Sequence, residues 1–219
     1  LMKKIASFTQ RTLNDDYPYV DCRLPDGSRV NCVLPPLSVD GPALTIRKFS
    51  QSVLGPQDLL NRGSLDENMA YFLSLCVQAR INIVVSGGTG SGKTTLLNVL
   101  STFLNTHERV VTIEDAAELK LQCENVQDGG RTPTTARDLV INALRMRPDR
   151  ILIGECRGAE AYDMLVAMNT GHQGSMTTLH ANSAREALRR LETMLAMSGI
   201  DLPIRVIRQH IANSLECIV

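Results

Sequence analysis

The sequence predicts an α/β fold, with a mostly parallel sheet carrying helices on both faces and a smaller β-rich lobe ahead of it. Three observations carry this. From residue 66 onward, short apolar runs alternate with helical stretches, as successive β-α-β units do. The run Gly87-Gly88-Thr89-Gly90-Ser91-Gly92-Lys93-Thr94-Thr95 stands between one such apolar run and one such helix, the context of a phosphate-binding loop. A length of 219 residues with 43% hydrophobic content suffices for one ordinary α/β core plus something smaller.

Residues 20–24 and 29–34 are extended runs around the turn Pro25-Asp26-Gly27-Ser28, and 43–49 read as a third strand after Asp40-Gly41-Pro42. Residues 1–49 are therefore expected to form a partial N-terminal β-rich lobe. Gly, Pro and polar residues surround a short turn at Asp58-Leu59-Leu60, so 50–65 read as a linker and 66–219 as the main lobe. In that lobe helices are expected at 66–79, 93–104, 135–147 and 159–169, and strands at 81–85, 110–113, 150–153 and 175–179. Ser183 with Glu186 forms a capping box opening a helix to about Met197, closed by Gly199, and Pro203 begins a last helix through Ala212. The chain opens on Leu1-Met2-Lys3-Lys4 and stops at Glu216-Cys217-Ile218-Val219, which reads as the start of another strand, so a longer, C-terminally truncated protein is expected.

Lys+Arg and Asp+Glu balance at 23 each, and aromatics make up only 4%, which speaks against a basic, aromatic-lined nucleic-acid channel. No stretch approaches the roughly 18 apolar residues of a membrane span and no signal segment opens the chain, so any membrane contact is expected to be peripheral. The six cysteines lack close metal-binding spacing and read as free thiols; a Cys22–Cys32 bridge is set aside because a nucleotide-dependent protein belongs in a reducing compartment.

The glycines of the loop let the backbone curl around a triphosphate with N–H groups inward, Lys93 neutralises β and γ phosphates, and the Thr94 hydroxyl is a Mg²⁺ ligand. ATP or GTP binding follows. Glu114-Asp115 and Glu118 come after the strand ending at Ile113, at the sheet edge where ligands sit in open α/β folds. Glu114 is the first candidate to orient or deprotonate the attacking water; the bland alternative is a helix-capping acid pair. Ile151-Leu152-Ile153-Gly154-Glu155 is an apolar run ended by an acid, with glycine where many nucleotide-binding motifs carry aspartate, and Glu155 is expected near Mg²⁺ or the γ-phosphate. The polar stretch from Thr170 to Asn182 holds His172 and His180 and suggests a γ-phosphate sensor; zinc on the two histidines competes. His107 and His210 read as structural. Arg47, Arg145, Arg147 and Arg157 are candidates for stabilising charge on a transferring phosphoryl group, against solvated or carboxylate-paired roles.

In this order, Thr45-Ile46-Arg47-Lys48-Phe49, the phosphate loop, Thr112-Ile113-Glu114-Asp115 with Glu118-Leu119, Arg145-Met146-Arg147-Pro148-Asp149-Arg150, Gly154-Glu155-Cys156-Arg157-Gly158 and residues 169–182 resemble the secretion ATPases of type II and type IV systems. Residues 145–183 most resemble the CpaF/TadA branch, which drives assembly of tight-adherence (Flp) pili. The resemblance implies a RecA-like P-loop domain in which residues 87–95 are the Walker A motif, 114–118 the aspartate box, 151–155 an atypical Walker B motif and 171–180 the histidine box. It makes Glu114 the water-activating base, places Glu155 at Mg²⁺ and the γ-phosphate, and has His180 couple nucleotide state to subunit movement. Arg47 would reach the nucleotide from the smaller lobe, and Arg145, Arg147 and Arg157 would make contacts within or between subunits.

ATP and Mg²⁺ are the implied ligands. The implied assembly is a homohexameric ring on the cytoplasmic face of a bacterial inner membrane, rocking its lobes to push on a platform protein. The tetracysteine zinc module of some type II members is not visible. Two alternatives stay open: the DNA-transfer type IV motor with the same site, and an assembly switch that binds ATP without turnover.

Overall fold

The computed structural model describes residues 1–48, 54–114 and 135–219; Phe49, Asp115, Glu118, Cys123 and the rest of 49–53 and 115–134 lie outside the described residues. The chain divides into two compact units, Leu1–Ser52 and Val53–Val219.

In the first unit, β1 (Tyr19–Arg23), β2 (Arg29–Val33) and β3 (Ala43–Arg47) form an antiparallel sheet in that order. The Asp26 carboxylate closes the β1–β2 turn by accepting from the Ser28 N–H and hydroxyl, both at 2.9 Å. A helix not anticipated from the sequence, α1 (Met2–Phe8), places Ala6 in a small core with Leu13, Val20, Val30 and Cys32. Seven residues span barely two turns, too few for an apolar period to stand out. Cys22 and Cys32 are free thiols at diagonal positions of the β1–β2 ladder.

The second unit opens with α2 (Pro56–Asn61), where the sequence shows only a turn inside a linker, and α3 (Glu67–Gln78). Next come β4 (Ile83–Gly87), α4 (Lys93–Ser101), β5 (Val110–Ile113) and α5 (Ala136–Ala143). They are followed by β6 (Arg150–Cys156), α6 (Glu160–Asn169), β7 (Met176–His180), α7 (Ala184–Ala196), α8 (Ile204–Ser214) and β8 (Cys217–Ile218). The strands lie in the order β5-β6-β7-β4-β8 with every neighbouring pair parallel. Both faces are buried. Ile83 and Val85 pack with Leu97 and Leu100 of α4 on one side, whereas Val84 joins residues of α5 to α8 on the other. This two-sided burial is why the strands read as continuous apolar runs.

Strand β4 begins two residues later than its apolar run. Arg80 adopts φ 59 in the turn after α3, and Asn82 is pinned there by three groups. Its N–H donates to Glu216 at 2.6 Å, its amide nitrogen to the Ser214 carbonyl, and its Oδ1 accepts from the Gly174 N–H. Helix α5 likewise stops at Ala143, with a single 3₁₀ turn at Leu144–Met146 and Arg147 at φ 52, short of the expected residue 147.

At the amino edge of the sheet, Arg150 is 2% exposed. Its guanidinium donates to both Glu108 carboxylate oxygens at 2.6 and 3.1 Å and to the carbonyls of Val77 and Gly174. Gly174, at φ 80, leaves room for it, since a Cβ there would overlap the Arg150 guanidinium and stand 3.0 Å from the Arg80 Cα.

Candidate nucleotide site

Parallel strands bring their carboxyl ends to one edge, and the connection from β4 runs to the far side of the sheet while that from β7 leads to β8 on the other. Such a reversal opens a crevice beyond the strand ends. The phosphate loop leaves β4 there. Gly90 and Gly92 hold φ 76 and 94, backbone that side chains with a Cβ resist, and Gly92 forms the N-terminal boundary of α4. A Cβ at Gly87 would run into the Ser91 hydroxyl. The Lys93 ammonium reaches back over the loop to donate to the Gly88 carbonyl at 2.8 Å. A glycine cradle, an inward lysine and a helix N-terminus fit a nucleotide triphosphate, and Thr94 in the first turn of α4 fits its Mg²⁺.

Three acidic or basic side chains join this edge from neighbouring strands. Glu114 follows directly on β5, whose Ile113 pairs with Ile153. Its stem lies over Gly154, where a Cβ would stand 3.1 Å from Glu114 Cγ and 3.3 Å from its Oε1. The missing side chain at residue 154 is thus filled by Glu114. Strand β6 continues through Gly154 and Glu155 to Cys156, beyond the expected end at residue 153, because of a bulge. Ile153 pairs with Thr177 and Cys156 with Leu179, three steps against two. The bulge re-aims the Gly154–Glu155 segment. The Thr178 hydroxyl fixes it by donating to the Gly154 carbonyl at 2.7 Å.

Glu155 accepts from Arg157 at 2.7 Å. This hydrogen bond lowers its pKa against the opposing effect of burial, with the charges of Arg157 and Lys93 adding to the lowering, so Glu155 is held as a carboxylate. His180 ends β7 opposite Gly87. Glu160, 7% exposed, braces the turn after Glu155 by accepting from the N–H groups of Arg157 and Gly158. Cys156 is an inert core thiol, pushed up to about 12 by burial.

Other sequence candidates fall elsewhere. Arg145 and Arg147 are exposed and precede the amino end of β6, the edge opposite the loop, so they do not meet the phosphate loop within one chain. Arg47 ends β3 of the first unit. His172 precedes β7 and His180 ends it; the five-residue strand between them spans about 13 Å at ~3.3 Å per residue, which excludes a shared metal. Sequence reasoning missed the bracing by Glu160 and the buried Glu108–Arg150 pair, since a single acid in a helix start and an arginine opening a strand carry no pattern of their own.

An uncharacterized protein of Methanocaldococcus jannaschii is 46% identical over 80% of this chain and 26% of its own length. A putative conjugal transfer protein of Mycobacterium tuberculosis is 39% identical over 92% of this chain and 61% of its own. This chain therefore spans about a quarter of the first of these relatives and about three fifths of the second. Among solved structures, the VirB11 ATPase of the Brucella suis type IV secretion system, in complex with sulphate, aligns with TM-score 0.62 and 31% identity, covering 97% of this chain and 74% of that one. The pilus retraction motor PilT with bound ADP aligns with TM-score 0.71 at 24% identity, covering 99% and 63%, a likeness of fold alone. The two-part architecture, a RecA-like parallel domain and a small antiparallel sheet, is common to these structures. Residues 2–219 match the family described as type II/IV secretion system protein, and the chain belongs to that family.

Proposed function

We propose that this chain is the ATP-hydrolysing part of a secretion-system motor. The observation that carries the reading is the convergence of Glu114, Glu155 and His180 on the edge that bears Lys93 and its glycine loop. Lys93 and the loop N–H groups bind the phosphates of ATP. Glu114 accepts a proton from water as the water oxygen bonds to the γ-phosphorus and the bond to the β-γ bridging oxygen breaks, leaving ADP and phosphate. Mg²⁺, when bound, offsets phosphate charge; Thr94 would hold it directly and Glu155 through water. Arg157 keeps Glu155 ionised and oriented. Arg47, Arg145 and Arg147 act on the nucleotide or the neighbouring subunit once a homohexameric ring has formed, and His180 links nucleotide state to that movement.

The relatives named as conjugal transfer and type IV secretion proteins favour a type IV secretion or DNA-transfer machine, at the cytoplasmic face of a bacterial inner membrane, working on a membrane platform partner. Among the described residues no helix is long and apolar enough to cross a membrane. A second reading, assembly of Flp pili, is favoured by the resemblance of residues 145–183 to the CpaF/TadA branch. Deleting the gene and scoring conjugation against pilus display separates the two. Nucleotide turnover itself is tested by Glu114→Gln, which should lower turnover about 10²- to 10⁴-fold while leaving nucleotide affinity intact. Unchanged turnover at equal stability removes Glu114 from the role of base.

A further inference from the structure

Strand β7 does not end its approach to the phosphate loop at His180. Two residues on, Asn182 is exposed and its Oδ1 lies 3.6 Å from where a Cβ of Gly88 would stand. Gly88 is also the residue whose carbonyl takes the Lys93 ammonium. Because Lys93 serves the β and γ phosphates, this part of the loop is the γ end. A carboxamide offers two donors and one acceptor, so with Oδ1 toward Gly88 the amide nitrogen remains for a phosphate oxygen. The backbone holds it there: the Asn182 N–H donates to the Glu186 carboxylate at 2.9 Å, and the Glu186 N–H donates to Ser183 Oγ at 3.1 Å. The Asn182 backbone is thus tied to the first turn of α7, and its side chain stands beside the loop at Gly88.

We infer that Asn182 is the γ-phosphate-reading residue of this site, a neutral donor that distinguishes a nucleoside triphosphate from the diphosphate and passes that distinction to α7 through Glu186. The inference rests on the nucleotide reading given above and adds the residue that discriminates. His180 ends β7 opposite Gly87, two residues before Asn182, so the two positions divide the work.

The test is a pair of affinities in Mg²⁺ buffer, for the imido analogue of ATP and for ADP, measured on the wild-type chain, Asn182→Ala and Asn182→Asp. Asn182→Ala should bind the triphosphate analogue about tenfold or more weakly while ADP stays within about twofold. Asn182→Asp preserves shape but sets a carboxylate beside the phosphate, so it should be worse than Asn182→Ala for the triphosphate only. A purely structural asparagine gives the reverse order, with aspartate tolerated and both nucleotides weakened together by alanine. That pattern, or an unchanged triphosphate-to-diphosphate ratio in both variants, overturns the inference. ADP binding doubles as the folding control. A wild-type chain that binds neither nucleotide overturns the nucleotide reading itself, and this inference with it.

Discussion

Glu108 and Arg150 show how one buried pair can govern acid stability. Burial pushes the Glu108 pKa up, but hydrogen bonds and charge from Arg150 and Arg80 outweigh it, and the net direction is down. A carboxylate with a depressed folded pKa stabilises the fold at pH above its unfolded value of about 4.3, and that contribution is lost as pH falls through the folded value. Urea midpoints measured from pH 7 to pH 3 should therefore drop less steeply for Glu108→Gln than for the parent chain; equal slopes would remove Glu108 from the account. Arg150→Ala leaves that carboxylate buried with only the half-exposed Arg80 and should cost about 3–5 kcal/mol. Gly174→Ala should destabilise by about 1–3 kcal/mol by crowding the same guanidinium, a value read from the same titrations. The pairing was not legible in the sequence, because the two residues lie 42 positions apart, Glu108 sits in no motif, and the block that ends at Arg150 names no partner for it. The phosphate loop was legible for the opposite reason: its glycines, lysine and threonine are contiguous and each is required by phosphate geometry.

Elements with a local cause were readable, and those with a distant cause were not. Helix α7 was announced by Ser183, whose side chain accepts from the Glu186 N–H as expected, although the Glu186 carboxylate returns to the Asn182 N–H rather than to residue 183. Ser183→Ala should cost about 1 kcal/mol in thermal unfolding, and no change would mean that packing of Leu191 and Leu195 alone sets the helix start. The extension of β6 to Cys156 depended on a bulge against β7, and the late start of β4 on Asn82 bonding to residues more than ninety positions away. Periodicity in a single segment holds no record of such partners. The bulge also explains how Glu114 and Glu155, 41 positions apart in the sequence, reach one edge, something the motif order could only imply by resemblance.

At the scale of the whole molecule, the sheet order supplies the crevice, and under the proposed function the loop recognises phosphate while Glu114 after β5 and Glu155 of β6 serve the attacking water and Mg²⁺. The arginines at positions 145 and 147 lie on the opposite edge of the sheet, so under the proposed motor they act only in an assembly. Under the proposed function this edge hydrolyses ATP, and does so in the assembled state. The most direct measurement is ATP turnover against protein concentration, with mass determined on the same samples and Lys93→Ala alongside. Turnover that rises as a hexamer-sized species appears and vanishes in Lys93→Ala is the predicted result. A chain that binds ATP yet never turns it over, at any assembly state, would contradict the account and identify the site as a nucleotide switch.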